Sequence, residues 1–188
     1  MDDFALNASA LIEEAVDWLR EHYRQFEFWV ERDLVWTVQT HVRQVVAERV
    51  LPYLVLNDYP MLAGPRRAVL ADLVIREKPS GAMVAVEFKY EPAHWRTEFM
   101  ATPGKLPVWV WGADGVAKDM GRIRMFVDEG GASVAFALLI DEGRHFRHRP
   151  VPPGSWWVDW DAPAPGGSAP SVLWSRWPVS THESGDDG

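Results

Sequence analysis

The chain contains no cysteine among its 188 residues. Disulfides, thiolate metal sites and thiol nucleophiles are therefore excluded, and carboxylates and histidines remain as the strong metal ligands. The absence of cysteine favours a reducing compartment, and the acidic start at Asp2 and Asp3 lacks the basic region of a secretory signal. We expect a cytoplasmic protein.

Long apolar runs and positive charge are also scarce. No run approaches the roughly 18 apolar residues that a membrane span requires, so we expect no membrane association. The chain carries 19 Lys and Arg against 27 Asp and Glu, a formal net charge of −8. This deficit argues against a nucleic-acid partner, because Lys and Arg supply most of the affinity for phosphate. The acidic residues are dense before residue 30, however, and the remainder is closer to neutral.

Apolar residues at helical spacing predict two helices near the N-terminus. The first covers about residues 7–28 and the second about residues 31–47. We assign residues 1–30 to an acidic amphipathic helix and residues 31–149 to one α/β core domain. The acidic helix is a candidate surface for a homo-oligomer or a protein partner.

Strand patterns follow the two helices. A short apolar run at 53–56 precedes a turn-like stretch at 57–60. Residues 68–75 and 82–90 are typical of strands, and the Pro and Gly of residues 77–81 predict a tight hairpin between them.

A crossover unit is predicted in the second half of the core. Residues 108–111 are typical of a buried strand, residues 116–128 of a helix, and residues 132–140 of a further buried strand. A helix between two such strands predicts a mixed sheet with helices packed on it. Residues 150–188, rich in Pro, Gly and Trp, are interpreted as an irregular tail that wraps the domain, with a disordered acidic end at 183–188.

Three charged residues of the predicted hairpin form the candidate site. Alternation along the second strand places Glu87 and Lys89 on the same face. Asp72 lies 15 positions before Glu87 in an apolar run, and the hairpin returns that run beside the second strand. A carboxylate in such a run needs a partner or a metal, because an unpaired buried charge is costly. Two carboxylates and an ammonium suit phosphodiester hydrolysis assisted by Mg²⁺ or Mn²⁺.

The pattern of Asp72, fourteen intervening residues and Glu87-Phe88-Lys89 resembles the signature of the PD-(D/E)XK, or restriction-endonuclease-like, nuclease superfamily. Ala71 stands where that family has a proline. The resemblance implies a restriction-endonuclease-like core, a magnesium-dependent endonuclease acting on DNA, and Asp72 and Glu87 as metal ligands with Lys89 as catalytic lysine. It also implies an auxiliary metal ligand on the first core helix, for which Glu31 is the best match.

Other polar residues have weaker functional interpretations. By the same resemblance, Lys118 and Arg122 on the predicted helix could contact substrate, although a solvated face paired with nearby carboxylates is an equal interpretation. Arg147 belongs to a basic, histidine-containing segment that could contact phosphate. The tryptophans could stack on bases, fill the core or form a protein interface.

The alternative hypothesis is a domain of the same fold that has no catalytic activity of its own. In that case the acidic helix and the Trp-rich tail would mediate assembly, and the net negative charge favours this hypothesis. A basic rim formed by residues such as Lys105, Arg122 and Arg147 would favour the enzyme. A cleft filled by the tail or by tryptophans would favour the assembly subunit.

Overall fold

The computed structural model describes residues 3–64, 66–93, 115–161 and 169–178. Three α-helices lie in these ranges: α1 (Asp3–His22), α2 (Glu31–Glu48) and α3 (Val116–Asp128). A short 3-10 turn, Tyr23–Gln25, follows α1. The helix predicted at 116–128 is confirmed at both ends, and the helices predicted at 7–28 and 31–47 are confirmed with shifted ends.

Six strands of the described ranges form one sheet: β1 (Tyr53–Leu62), β2 (Val69–Glu77), β3 (Met83–Glu91), β4 (Ala132–Asp141), β5 (Ser155–Asp159) and β6 (Ser171–Trp177). Their order across the sheet is β1-β2-β3-β4-β6-β5. Only β3 and β4 pair in parallel, and every other pair of neighbours is antiparallel. The predicted α/β class, mixed sheet and β2–β3 hairpin are confirmed. Parallel strands need a crossover, and α3 lies in the segment between β3 and β4.

Different helices cover the two faces of the sheet. Val84, Val86 and Phe88 of β3 are completely buried in the core that β3 shares with α1 and α2. On the other face, Ala85 packs in a cluster with Phe126 of α3. Because side chains alternate along a strand, the charged positions of β3 share the α3 face.

The acidic first helix is an integral part of the domain. Its completely buried residues form one stripe along the helix: Ala5, Ala8, Ile12, Ala15 and Leu19. The small alanines allow a close approach to neighbouring elements, and the helix contacts α2, β3 and β4. The apolar stripe of α1 is therefore used inside the domain, which leaves the charged face outward.

The prediction of an irregular C-terminal tail is wrong for two segments. β6 pairs with β4, and β5 adds to β6 as the edge strand. Trp156 lies opposite Trp174, and the two rings stack with centroids 6.2 Å apart. The buried serines Ser171 and Ser175 interrupt the apolar pattern of β6. Val and Trp within the two segments favour strands, so sheet pairing outweighs the Pro- and Gly-rich composition around them.

The turn-like interpretation of residues 57–60 is also wrong, because these residues continue β1. The pairing with β2 runs through Asn57 opposite Leu73 and Pro60 opposite Leu70. β1 lies at an edge of the sheet, where a proline is tolerated although it lacks an N–H group. Asp58 adopts a left-handed φ of 47° within this strand.

Two predicted segments, 108–111 and 183–188, lie outside the described residues. The other two elements of the predicted crossover, the helix at 116–128 and the strand at 132–140, are observed as α3 and β4. Within the described ranges, no helix is both long and apolar enough to cross a membrane.

Candidate active site

Asp72 and Glu87 reach the site from adjacent strands. The regular pairing of β2 with β3 ends with Leu73 opposite Val86, so Asp72 and Glu87 are the next positions along the two strands. At this point Asp72 Oδ2 accepts a hydrogen bond of 2.7 Å from the backbone N–H of Phe88. The carboxylate thus satisfies a β3 backbone group where the paired register has ended. The structure brings the two carboxyl groups of the hairpin together.

Lys89 connects two helices across the end of the sheet. Its Nζ lies 3.0 Å from Glu31 Oε2 on α2 and 3.3 Å from Asp119 Oδ2 on α3. The same ammonium donates a hydrogen bond of 3.3 Å to the carbonyl oxygen of Phe88. Three separate elements therefore hold the Lys89 ammonium at one position.

Arg122 provides the second cation of the site. Its Nη1 lies 2.9 Å from Glu87 Oε2 and 3.8 Å from Asp119 Oδ1. Glu87 is only 1% exposed, and its other oxygen, Oε1, is buried with no hydrogen-bond partner among the described residues. One oxygen of this carboxyl group is thus paired, and the other is buried without a hydrogen bond to the described residues.

We define the carboxylate cluster as six side chains: Glu31, Asp72, Glu87, Lys89, Asp119 and Arg122. Four of them are carboxyl groups and two are cations, so the fully ionised cluster has a formal charge of −2. Excess charge of one sign in a largely buried site is unfavourable. Protons can relieve it, and so can one divalent cation.

The pKa values of the buried carboxyl groups are raised, mainly by burial. Burial raises the pKa of Asp72 to about 6, although the hydrogen bond from Phe88 opposes the shift. Burial also raises the pKa of Glu87 to about 8, and repulsion from Asp72 adds to the effect against the attraction of Arg122. Both groups therefore hold a proton more readily than ordinary carboxyl groups do.

The remaining titratable groups shift for related reasons. Burial is also the largest influence on Asp119 and raises the pKa of its carboxyl group, although Lys89 and Arg122 oppose this shift. For Lys89, burial lowers the pKa, but Glu31 and Asp119 outweigh burial and leave the pKa of the amine above its ordinary value. The lysine is therefore held as an ammonium ion.

The cluster opens to solvent on the α2 side of the hairpin. Glu31 and Asp72 line an open cleft together with Asn57 and Asp58 of β1. Glu87, Lys89 and Asp119 instead line a smaller cavity with apolar residues of β4 and β6, such as Leu139. Asp72 thus lies on the accessible side of the cluster and Glu87 on its buried side.

The other predicted substrate contacts are not gathered at the cleft in the described part of the chain. Lys118 lies on an exposed face of α3. Arg147 pairs with Asp159 at 3.1 Å, and its guanidinium lies over the ring of Trp157. Lys105 lies outside the described residues.

Asp119 is a member of the cluster that sequence reasoning did not assign to the site. It is 2% exposed and contributes to the buried face of α3. Its position within the stripe of Val116, Met120 and Ile123 is the available signal, because a carboxylate on a buried helical stripe requires a partner. From the sequence, Asp119 is instead assigned only as a possible solvated partner of nearby basic residues on this helix.

The carboxyl groups of the cluster supply oxygen ligands of the kind that hard cations bind. Every candidate ligand is a carboxylate, the ligand type that Mg²⁺ and Mn²⁺ prefer, and Glu87 Oε1 is a buried oxygen without a partner. Asp72 and Glu87 are the residues that would hold the metal, whereas Glu31 is engaged by Lys89. The described residues contain no preassembled group of three His, Asp or Glu side chains suited to a metal ion.

No family model matches the sequence, and comparisons with curated proteins and with solved structures also find no match.

Proposed function

We propose that this chain is a metal-dependent phosphodiesterase that cuts DNA and has a restriction-endonuclease-like core. We assign it as an endonuclease. The proposal assigns Asp72 and Glu87 as ligands of Mg²⁺ or Mn²⁺ and Lys89 as the catalytic lysine. Glu31 is assigned as an auxiliary residue of the same site. Endonuclease rather than exonuclease activity rests on the family resemblance alone.

The observation that carries the proposal is the excess negative charge of the carboxylate cluster. Four carboxyl groups face two cations at one end of the sheet, and two of these groups, Glu31 and Asp72, line an open cleft. A purely structural ion-pair network would be expected to balance its charges. The formal charge of −2 is what one divalent cation neutralises.

Within this proposal the residues have distinct roles. Asp72 and Glu87 offer oxygen ligands from two strands whose spacing is fixed by the hairpin. The Lys89 ammonium, fixed by Glu31 and Asp119, would stabilise the negative charge that develops on the phosphoryl oxygens. A bound metal would polarise the phosphate and lower the pKa of an attacking water. Arg122 holds Glu87 in place from α3.

The test is cleavage of supercoiled plasmid and of single-stranded DNA by the purified chain with Mg²⁺ or Mn²⁺. We expect metal-dependent cutting that Asp72→Ala and Lys89→Ala each reduce by at least about a hundredfold, since general acid–base and electrostatic groups contribute on that order. Lys78→Ala is the matched control, because it removes an exposed lysine from the turn between β2 and β3. Circular dichroism must show that each variant is folded.

The competing function is an assembly subunit with the same fold and no catalytic activity. The Arg122–Glu87 pair favours it, because a guanidinium already neutralises part of the carboxylate that would bind metal. The basic rim that would favour the enzyme is also not formed by Arg122 and Arg147, which pair with Glu87 and Asp159. A wild-type chain that neither cuts DNA nor binds Mn²⁺ would establish this alternative over the enzyme.

A further inference from the structure

Trp36 lies at the rim of the cleft that contains Asp72 and Glu31. It is 59% exposed, which is unusual for an indole of this size. Arg32 lines the same cleft, and Arg32 and Trp36 are four residues apart on α2, so their side chains are neighbours on one helix face. An aromatic ring and a guanidinium therefore share a rim with the candidate metal ligands.

Two other tryptophans, Trp18 and Trp160, are used in packing, whereas Trp29 is exposed but lies outside this cleft. Trp160 is 2% exposed and contacts Tyr23 edge-on, with centroids 5.2 Å apart. Trp18 stacks on His41 with a centroid distance of 4.0 Å. Trp36, by contrast, leaves most of its surface to solvent, although burial of an aromatic side chain is strongly favourable. Its exposure at the cleft suggests a ligand that covers it.

We propose that Trp36 stacks on an unpaired nucleobase of a nucleic-acid strand bound in this cleft. The inference rests on the proposed nuclease function and narrows its substrate to single-stranded, frayed or flipped nucleotides. Bases within a duplex are stacked on both faces, so a protein ring reaches a base face only where the stack is open. Glu31 and Trp36 line the same cleft and are separated by a rise of about 7.5 Å along α2, so a base stacked on Trp36 lies near the carboxylate cluster.

The lining of the cleft favours a nucleotide over a protein segment. Glu31, Asn57, Asp58 and Asp72 supply polar or charged groups, and among the described residues only Val35 and Trp36 supply apolar lining. Cores of protein interfaces are depleted of charged residues, so this surface is a poor match for one. A nucleotide needs a flat ring for its base, an amide such as Asn57 for base edges and a guanidinium such as Arg32 for phosphate.

The test measures binding of a fluorescein-labelled single-stranded oligonucleotide by anisotropy, in a buffer with Ca²⁺, which takes oxygen ligands as Mg²⁺ does. The strand is compared with a blunt duplex and with an abasic strand of the same length. The variants are Trp36→Ala and Trp36→Phe. Trp29→Ala is the matched control, because Trp29 is 53% exposed but does not line the cleft.

We expect the ordinary strand to bind more tightly than the duplex or the abasic strand. Trp36→Ala should raise Kd by about fivefold or more, the effect of losing one base–aromatic stack. Trp36→Phe should retain most of the affinity, and Trp29→Ala should change Kd by less than about twofold. Equal binding of ordinary and abasic strands, or an unchanged Kd for Trp36→Ala, would overturn the proposal. So would a wild type that binds no nucleic acid, and a protein bound through Trp36 would then explain the exposed ring.

Cleavage of the same strand with Mn²⁺, measured in parallel, separates the two proposals. Cleavage that is unaffected by Trp36→Ala leaves the nuclease function intact and removes the stacking site. Binding that depends on Trp36 without any cleavage supports the stacking site and contradicts the proposed nuclease function.

Discussion

The two faces of β3 bury side chains of opposite character, apolar on one face and charged on the other. Val84, Val86 and Phe88 are completely buried among apolar side chains of α1 and α2, where every contact contributes to stability. On the other face, Glu87 and Lys89 are held in a cluster with more negative than positive groups. The same strand thus carries a well-packed core on one face and an unbalanced charged site on the other. Such local imbalance is typical of functional sites rather than of structural cores.

The largest expected effect concerns the apolar face. Phe88 lies between Glu87 and Lys89 in the sequence, and its side chain is completely buried. Phe88→Ala should lower the free energy of unfolding by about 3–5 kcal/mol, because it removes a large ring and leaves a cavity. Urea denaturation followed by circular dichroism measures the change. A loss below about 1 kcal/mol would show that this face is not tightly packed.

The charged face should respond next. Arg122→Ala leaves Glu87 buried without its cation and should lower the free energy of unfolding by about 1–3 kcal/mol at pH 8. The double variant Arg122→Ala, Glu87→Gln replaces the carboxyl group that has lost its partner and should recover part of that loss. Denaturation of the three proteins tests the coupling, and strictly additive losses would contradict the pairing.

Stability should also depend on pH through Glu87. Its pKa is raised from 4.5 to about 8 by burial, so the folded state retains a proton that the unfolded chain releases. The stability from this group is complete below pH 4.5 and declines as the pH rises towards 8, by at most about 1.4 kcal/mol per pH unit.

Glu87→Gln should remove this decline above pH 6. Above pH 6 the Asp72 carboxyl group, whose pKa is about 6, has largely lost its contribution to stability. The remaining pH dependence of stability in that range therefore comes mainly from Glu87. Urea denaturation in EDTA at several pH values provides the measurement. An identical slope for wild type and Glu87→Gln would contradict the assignment.

The smallest effect is expected on the outer face of α3. Lys118 is exposed, and substitutions at such positions usually change stability by less than about 0.5 kcal/mol. Lys118→Ala should therefore leave the unfolding midpoint unchanged. A clear loss of stability would show that the outer face of α3 contributes to the structure.

Sequence reasoning predicted the fold best where the local pattern and the tertiary environment agree. The stripes of α2 and α3 and the alternation in β3 each predict the observed element. It failed in β1 and β6, where pairing with a neighbouring strand outweighs local composition. Asn57 and Pro60 suggest a turn, yet an edge strand accommodates both. The buried serines of β6 similarly conceal its apolar face.

For the site, the sequence predicted the hairpin residues together with Glu31 and Arg122, but it did not predict Asp119 of α3. The spacing of Asp72 and Glu87 reflects local hairpin geometry, which alternation and turn chemistry describe well. Asp119 lies far along the chain, and only the packing of α3 against β3 brings it to Lys89. Whether a helical carboxylate is solvated or buried depends on that packing, which periodicity alone does not resolve.

Calorimetric titration with Mn²⁺ at pH 8 tests the central claim most directly, because it measures metal binding without requiring a substrate. Wild type should bind Mn²⁺, and Asp72→Asn should weaken binding by at least about tenfold, as loss of a ligand predicts. Glu13→Gln, which removes an exposed carboxylate from α1, should bind as wild type does. A wild type that binds no Mn²⁺, or equal binding by Asp72→Asn, would contradict the assignment of the carboxylate cluster as a metal site.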